Sequence, residues 1–139
     1  MVLVLLVGCS SRTNRGETTA ANKNNTQIDN IEYADNMSKF NELIKGQQPV
    51  LVDFYADWCA PCRMMAPILE QVASNMGPEV KIVKVDVDKN QQAAINYGVQ
   101  SIPTLMLFQN GKVKWQGAGV MQADQIEMII RSKSTNINF

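Results

Sequence analysis

The sequence predicts one α/β domain, a mixed β-sheet with helices on both faces. Three observations carry this expectation. Val50-Leu51-Val52-Asp53-Phe54-Tyr55 is a near-continuous apolar run of strand length, the pattern of a strand covered on both faces. Strand-like and helical segments alternate along the chain from about Ile31. The alternation ends in two strand-like runs joined by Gln109-Asn110-Gly111, where Asn-Gly signals a hairpin.

Ile31-Glu32-Tyr33 alternates as a short edge strand does. Met37, Phe40, Leu43 and Ile44 then fall at helical spacing, with Asp35 or Asn36 able to cap and Gly46 able to terminate. After the strand Val50 to Tyr55, a second helix is expected to open at Cys59 and run to Met76. Its buried stripe is Met65, Ile68, Leu69, Val72 and Met76, and Gly77-Pro78 ends it. Pro67 falls inside this helix and is expected to kink it. A strand over Val80 to Val87 follows, then a short helix from Gln91 to Tyr97 stopped by Gly98. Thr104 to Phe108 and Lys112 to Gln116 form the hairpin, and Ile126, Ile129 and Ile130 mark a last amphipathic helix. No internal repeat is visible.

Upstream of this domain the texture is different. Residues Val2 to Val7 are continuously apolar and lead into Gly8-Cys9. Leu6-Val7-Gly8-Cys9 resembles the bacterial lipoprotein box, which implies a signal-like segment over residues 1–9 and lipid attachment at Cys9. The apolar run is too short for a spanning helix, which needs about 20 residues. The plain alternative is a hydrophobic tail with an incidental cysteine. Ser10 to Asn30 is polar, with Ile28 its one large apolar side chain, and cannot bury enough surface to offset its ordering entropy. As a tether of about 20 residues it would reach roughly 25 Å. The expected organisation is therefore a segment 1–9, a linker 10–30, a domain over 31–135 and a polar tail 136–139.

Composition excludes several functions. Thirteen basic and thirteen acidic residues cancel, so no overall field favours nucleic acid or an anionic membrane surface. With no histidine, there is no Cys/His zinc site, no Ser-His or Cys-His catalytic pair and no imidazole to stabilise a thiolate. Of the three cysteines, Cys59 and Cys62 form a single C-x-x-C. That supplies two zinc ligands where a structural site needs four, and Arg63 in the next position breaks the haem-attachment pattern. No metal is expected. A redox pair remains. A structural disulfide so local closes a tiny loop and adds little stability, and inert thiols have no need of a helix start.

The placement suits redox chemistry. Cys59 follows a buried strand and begins a helix, where unpaired backbone N–H groups and the helix dipole favour an anion. A thiolate is the nucleophile in disulfide exchange. Cys62 lies three residues on along the same helical face, near enough to resolve a mixed disulfide formed at Cys59. Pro61 sits in the first helical turn, where its missing N–H costs nothing.

Val52-Asp53-Phe54-Tyr55-Ala56-Asp57-Trp58-Cys59-Ala60-Pro61-Cys62 resembles the active-site stretch of thioredoxins, and the likeness extends over about Ile31 to Lys133. Lys84 in Val83-Lys84-Val85-Asp86, Ile102-Pro103-Thr104, and Gly119 after the hairpin match further positions in order and spacing. The resemblance implies the thioredoxin fold and a thiol–disulfide oxidoreductase with no cofactor beyond the redox-active disulfide Cys59–Cys62. It implies Cys59 as attacking thiolate, Cys62 as resolving thiol and Asp53 as proton acceptor for Cys62. Lys84 would tune Asp53, or else be a solvated surface lysine. Pro103 would be the cis-proline facing the cysteines, or else an ordinary turn proline. Trp58, Ala60, Pro61, Ile102 and Ala118, with Gly119, would form the substrate-binding patch. Trp115 lies outside these motifs and is expected to pack. Ala60 replaces the glycine commonest in thioredoxins, a change expected to shift the poise slightly. The separation of Cys62 from Pro103 equals that of plain thioredoxins and leaves no room for the hairpin and helix added in reductases that serve cytochrome maturation.

Magnitudes indicate the direction of electron flow. Potentials in this fold run from about −270 mV for reductants to about −120 mV for oxidants, a gap of about 7 kcal/mol. Oxidants get there by stabilising the thiolate, and a pKa fall from ~7 to ~3.5 corresponds to roughly 5 kcal/mol. A helix dipole supplies at most ~2 kcal/mol. The histidine that oxidases and isomerases usually place between the cysteines is here Pro61, and Arg63 is expected to point to solvent. The reading is a protein-disulfide reductase, with an oxidase or isomerase, or a redox-inactive binding module, as alternatives. Expected partners are disulfide-containing proteins and a thiol electron donor, such as a membrane reductase, acting on a monomer. With Cys9 lipidated the site would be the periplasm-facing envelope; without it, the cytoplasm.

Overall fold

The computed structural model describes residues 29–134, and the expectations placed on residues 1–28 and 135–139 lie outside them. The elements run β1 (Ile31–Tyr33), α1 (Met37–Ile44), β2 (Val50–Tyr55), α2 (Ala60–Met76), β3 (Lys81–Asp86), α3 (Gln91–Asn96), β4 (Thr104–Gln109), β5 (Lys112–Ala118) and α4 (Ala123–Lys133). They form one five-stranded sheet in the order β1-β3-β2-β4-β5. β2 pairs parallel with β3 and antiparallel with β4, so it lies at the centre. All its residues except Tyr55 are buried, the reason its sequence is nearly unbroken apolar.

The period of two along each strand sorts the side chains into two cores. Leu51, Ile82, Leu105 and Leu107 face Met65, Leu69, Val72, Ala73 and Met76 of α2 and Ile126 and Ile130 of α4. Val52, Phe54, Val83, Val85, Met106 and Phe108 face Phe40 and Ile44 of α1 and Ala93 of α3. Within that second core the Phe40 ring meets Phe54, Tyr97 and Phe108 at centroid distances of 6.2, 5.4 and 5.8 Å. Helices thus cover both faces. By the same parity Asp53, between Val52 and Phe54, faces the α2 side. That placement matters below.

The ends of the elements follow capping chemistry. Asn36, rather than Asp35, caps α1, its Oδ1 accepting from the Lys39 amide at 2.9 Å. The last carbonyls of a helix lack intrahelical partners. Here the hairpin turn supplies one, the Gly111 amide donating to Ile44 O, while the Asn110 amide donates to Gly46 O just beyond the helix, both at 2.9 Å. α2 runs unbroken through Pro67. Asn30, expected to be the last residue of the linker, is instead tied into the fold. Its Nδ2 donates to Ala73 O at 3.1 Å and Gly77 O at 3.0 Å, closing the C-terminus of α2.

β5 extends two residues beyond the expected Gln116, because Gly117 and Ala118 pair with Leu105 and Thr104. Trp115 packs against the α2/α4 core. Its indole lies over Gly117, and a Cβ at that glycine would come 2.4 Å from the ring. Gly117→Ala is therefore expected to destabilise by about 1–3 kcal/mol through overpacking. With Trp115→Ala in place, the same change should be neutral or stabilising, since alanine loses less backbone entropy than glycine. Denaturant midpoints of the four proteins in this cycle test the account. An equal loss in both backgrounds would remove the ring from it.

Candidate functional site

Chain direction brings the site together at one end of the sheet. β2 ends at Tyr55, the chain turns through Ala56, Asp57 and Trp58, and α2 begins at Ala60 with Cys59 as its N-cap. The turn is closed by the Cys59 amide donating to Ala56 O at 3.2 Å. In place of the usual capping oxygen, Cys59 Sγ accepts from the Cys62 amide at 3.2 Å. The sulfur thus takes an amide of the helix start, the placement that favours a nucleophilic thiolate. The structure places the helix start at Ala60, one residue after the expected position, and Pro61 in the first turn.

Cys59 and Cys62 are joined as a disulfide, with Cα atoms 5.2 Å apart. Both are almost fully buried and pack with Ala56, against Tyr55, Val87 and Ile102. Cys59 Sγ lies 3.9 Å from the Ile102 carbonyl. The Ile102–Pro103 peptide is cis. Two bonds fix this loop: Thr104 Oγ1 donates to Ser101 O at 2.6 Å, and the Gly119 amide donates to Pro103 O at 2.8 Å. Gly119 adopts φ +90°, a conformation that favours glycine. Ala118 is exposed beside it, paired with Thr104. Trp58 and Ala60 are exposed next to the cysteines, as is Pro61.

Asp53 is fully buried on the face of β2 covered by α2, the helix that carries Cys62. Its register partner across the strand is Lys84, whose ammonium lies 3.4 Å from Asp53 Oδ2. Neither carboxylate oxygen has hydrogen-bond geometry to a partner. Burial raises the carboxyl from its ordinary value to about 6, against the opposing pull of the Lys84 charge. Lys84 is not a freely solvated surface lysine. Its side chain is 11% exposed and its ammonium sits 4.5 Å from the centroid of the Tyr55 ring.

Several neighbours were not legible from the sequence. Trp58 Nε1 donates to Asp88 Oδ2 at 2.8 Å, which holds the exposed indole in place. Arg63 is exposed, as expected, and its guanidinium also donates to Asp57 O at 3.0 Å. A cleft of about 250 Å³ opens beside Cys62, bounded by Tyr33, Tyr55, Asp57, Arg63 and Lys84. No local pattern marks Asp88 as a partner for a tryptophan thirty positions away. The pairing exists only once β2 and β3 lie side by side.

Comparison with known proteins agrees with this geometry. The family model described as thioredoxin matches residues 31–132. A thioredoxin-like protein of Synechocystis is 50% identical over 90 residues, 64% of this chain and 86% of its own length. The thioredoxin of Rickettsia bellii is 44% identical over 85 residues, 61% of this chain and 81% of its own. Among solved structures, a single-site mutant of the thioredoxin from Halobacterium salinarum superposes with a TM-score of 0.71 at 34% identity, covering 79% of this chain and 96% of that one. A sheet with β2 at its centre, a disulfide at the start of α2, a buried carboxyl behind it and a cis-proline in front thus agree with the sequence matches, and the chain belongs to the thioredoxin family.

Proposed function

We propose that this thiol–disulfide oxidoreductase works as a reductant of protein disulfides, the Cys59–Cys62 couple carrying the electrons without a further cofactor. The observation that carries the reading is the placement of Cys59 Sγ on the Cys62 amide at the start of α2, with no imidazole anywhere in the chain to stabilise its thiolate further. A helix start contributes at most ~2 kcal/mol, well short of the roughly 5 kcal/mol that separates a strongly oxidising thiolate from an ordinary active-site one.

Two exchanges complete the transfer. The Cys59 thiolate attacks one sulfur of a substrate disulfide, forming a mixed disulfide and expelling the first substrate sulfur as a thiolate, which takes up a proton from water. Cys62 gives its proton to the Asp53 carboxylate and attacks Cys59 Sγ, expelling the second substrate thiolate, which takes up a proton. The substrate gains two electrons and two protons, and Cys59–Cys62 is left as the disulfide. A dithiol donor restores it. An extended substrate segment would lie against the Ile102 backbone, with Trp58, Ala60, Pro61, Ala118 and Gly119 around it. Ionisation of Asp53 near pH 6 suits a base that works near neutrality.

Equilibration with glutathione tests the direction. A potential near −270 mV is expected, and one above about −200 mV would replace the reductase by an oxidase or isomerase. We further propose that the domain acts at the cell envelope on a lipid carried by Cys9, with a membrane reductase as its donor. This rests on the resemblance of Leu6-Val7-Gly8-Cys9 to a lipoprotein box. Extraction of the protein from membranes should need detergent, and Cys9→Ala should abolish that need. Equal solubility of both proteins would remove the anchor and favour a cytoplasmic reductant.

A further inference from the structure

Asp53 and Tyr55 are two residues apart on β2 and so face the same side, and Lys84 stands in register opposite Asp53 on β3. The lysine ammonium is held between them, 3.4 Å from Asp53 Oδ2 and 4.5 Å from the centre of the Tyr55 ring. The carboxylate makes no directional hydrogen bond that would fix the ammonium. A lysine stem is long and flexible, and the cleft beside it leads toward Asp57 and open solvent, where the ammonium could otherwise go. The face of an aromatic ring attracts a cation, more strongly when both are partly desolvated.

We propose that Tyr55 is a positioning residue whose ring seats the Lys84 ammonium beside Asp53 and thereby sets the proton affinity of that carboxyl. Through Asp53 it would set the pH at which Cys62 becomes able to resolve a mixed disulfide, a consequence that rests on the reductase reading. The titratable and charged groups facing this corner are Lys84 from β3, Arg63 and the Cys59–Cys62 disulfide from α2, Tyr33 from β1, and Asp57 from the turn after β2, while β4 brings only the apolar Leu105 opposite Asp53. Asp86, Asp57 and Asp35 act electrostatically on the Tyr55 hydroxyl, which burial and these acids push up to about 12. The hydroxyl therefore stays protonated, and the ring presents its face as a neutral phenol.

The test is titration of the Asp53 carboxyl by carbon-13 NMR in the oxidised protein, where neither Cys59 nor Cys62 titrates. The wild-type midpoint is expected at about 6. Tyr55→Phe keeps the ring and should leave it within about 0.2 pH units. Tyr55→Leu removes the seat and should raise it by about half to one pH unit, a threefold to tenfold gain in proton affinity. In a Lys84→Met background, Tyr55→Leu should add nothing. An equal shift in that background would make the effect one of burial and overturn the proposal, as would a Tyr55→Phe shift as large as that of Tyr55→Leu. Should Tyr55→Leu not fold, fluorinated phenylalanines at position 55 keep the shape while draining the ring face. The midpoint should climb with each fluorine, and a flat series overturns the seat. The titration needs no catalysis. Wild type that fails to exchange disulfides would sink the functional reading and leave this result standing.

Discussion

Cys59→Ser should reduce disulfide exchange to the background of the external reductant, whereas Cys62→Ser should retain the first attack and then stall as a covalent mixed disulfide. The asymmetry follows from where α2 begins. Cys59 is the N-cap and its sulfur takes the Cys62 amide at 3.2 Å, so the helix start stabilises a thiolate there. Cys62 lies one turn in and is buried beneath it, beside Ala56 and Tyr55. A serine at position 59 leaves Cys62 without access to a protein disulfide. A serine at position 62 removes the intramolecular resolving step, and well-oriented intramolecular pairs reach effective molarities of ~10⁵ M or more. An external thiol at millimolar concentration cannot match that, so the mixed disulfide persists. Non-reducing gels of the two variants after incubation with oxidised substrate would decide it. Adducts on Cys59→Ser rather than on Cys62→Ser would reverse the roles. Equal exchange by wild type and Cys59→Ser would make the domain a binding module.

The parts of this site differ in how plainly the sequence states them. Val50 to Tyr55 is legible because burial on both faces leaves one polar residue in an apolar run, and that residue, Asp53, thereby stands out. The hairpin is legible because Asn110 and Gly111 both take positive φ, which Asn-Gly tolerates. Strand order is another matter. The sequence orders the elements, but that β3 lies between β1 and β2 is settled only by packing. The Asp53–Lys84 pair depends on this order. Lys84 is reached from the sequence only through the resemblance of Val83-Lys84-Val85-Asp86 to thioredoxins. The Trp58–Asp88 bond and the Tyr55–Lys84 contact leave no periodic mark, because each joins side chains from separate segments at the end of the sheet. The last residues of β5 read as loop because Gly117 and Ala118 have low strand propensity. Pairing with Leu105 and Thr104, and the Trp115 ring over Gly117, override it.

Asp53→Asn is expected to stabilise the fold at pH 8 relative to wild type by about 2–2.5 kcal/mol more than it does at pH 4, and to impair resolution by Cys62. The carboxyl titrates at about 6 in the folded chain against 3.8 when exposed, so the native state holds the proton more tightly. The contribution is therefore full only below the unfolded value of 3.8, declines as pH rises toward 6, and levels off above it. The gap of about two pH units corresponds to roughly 3 kcal/mol in full, of which about 2–2.5 kcal/mol falls between pH 4 and pH 8. The cause is a carboxylate at 0% exposure with no hydrogen bond to its oxygens and only the Lys84 charge, 3.4 Å away, to offset burial. Asparagine cannot ionise, so the variant lacks this decline. Any packing cost of the amide is the same at both pH values and cancels from the comparison. Urea unfolding of the oxidised proteins at pH 4 and pH 8 gives the difference directly, and a gap that does not change with pH would show that Asp53 titrates as an exposed aspartate does. Activity should move the other way. Wild-type exchange should rise through pH 6 as Asp53 ionises, and the variant should lose that limb together with at least about tenfold in the resolving step, toward the low end of what a general base contributes. The burial that makes Asp53 a base near neutrality also makes it the least favourably placed charge in the core.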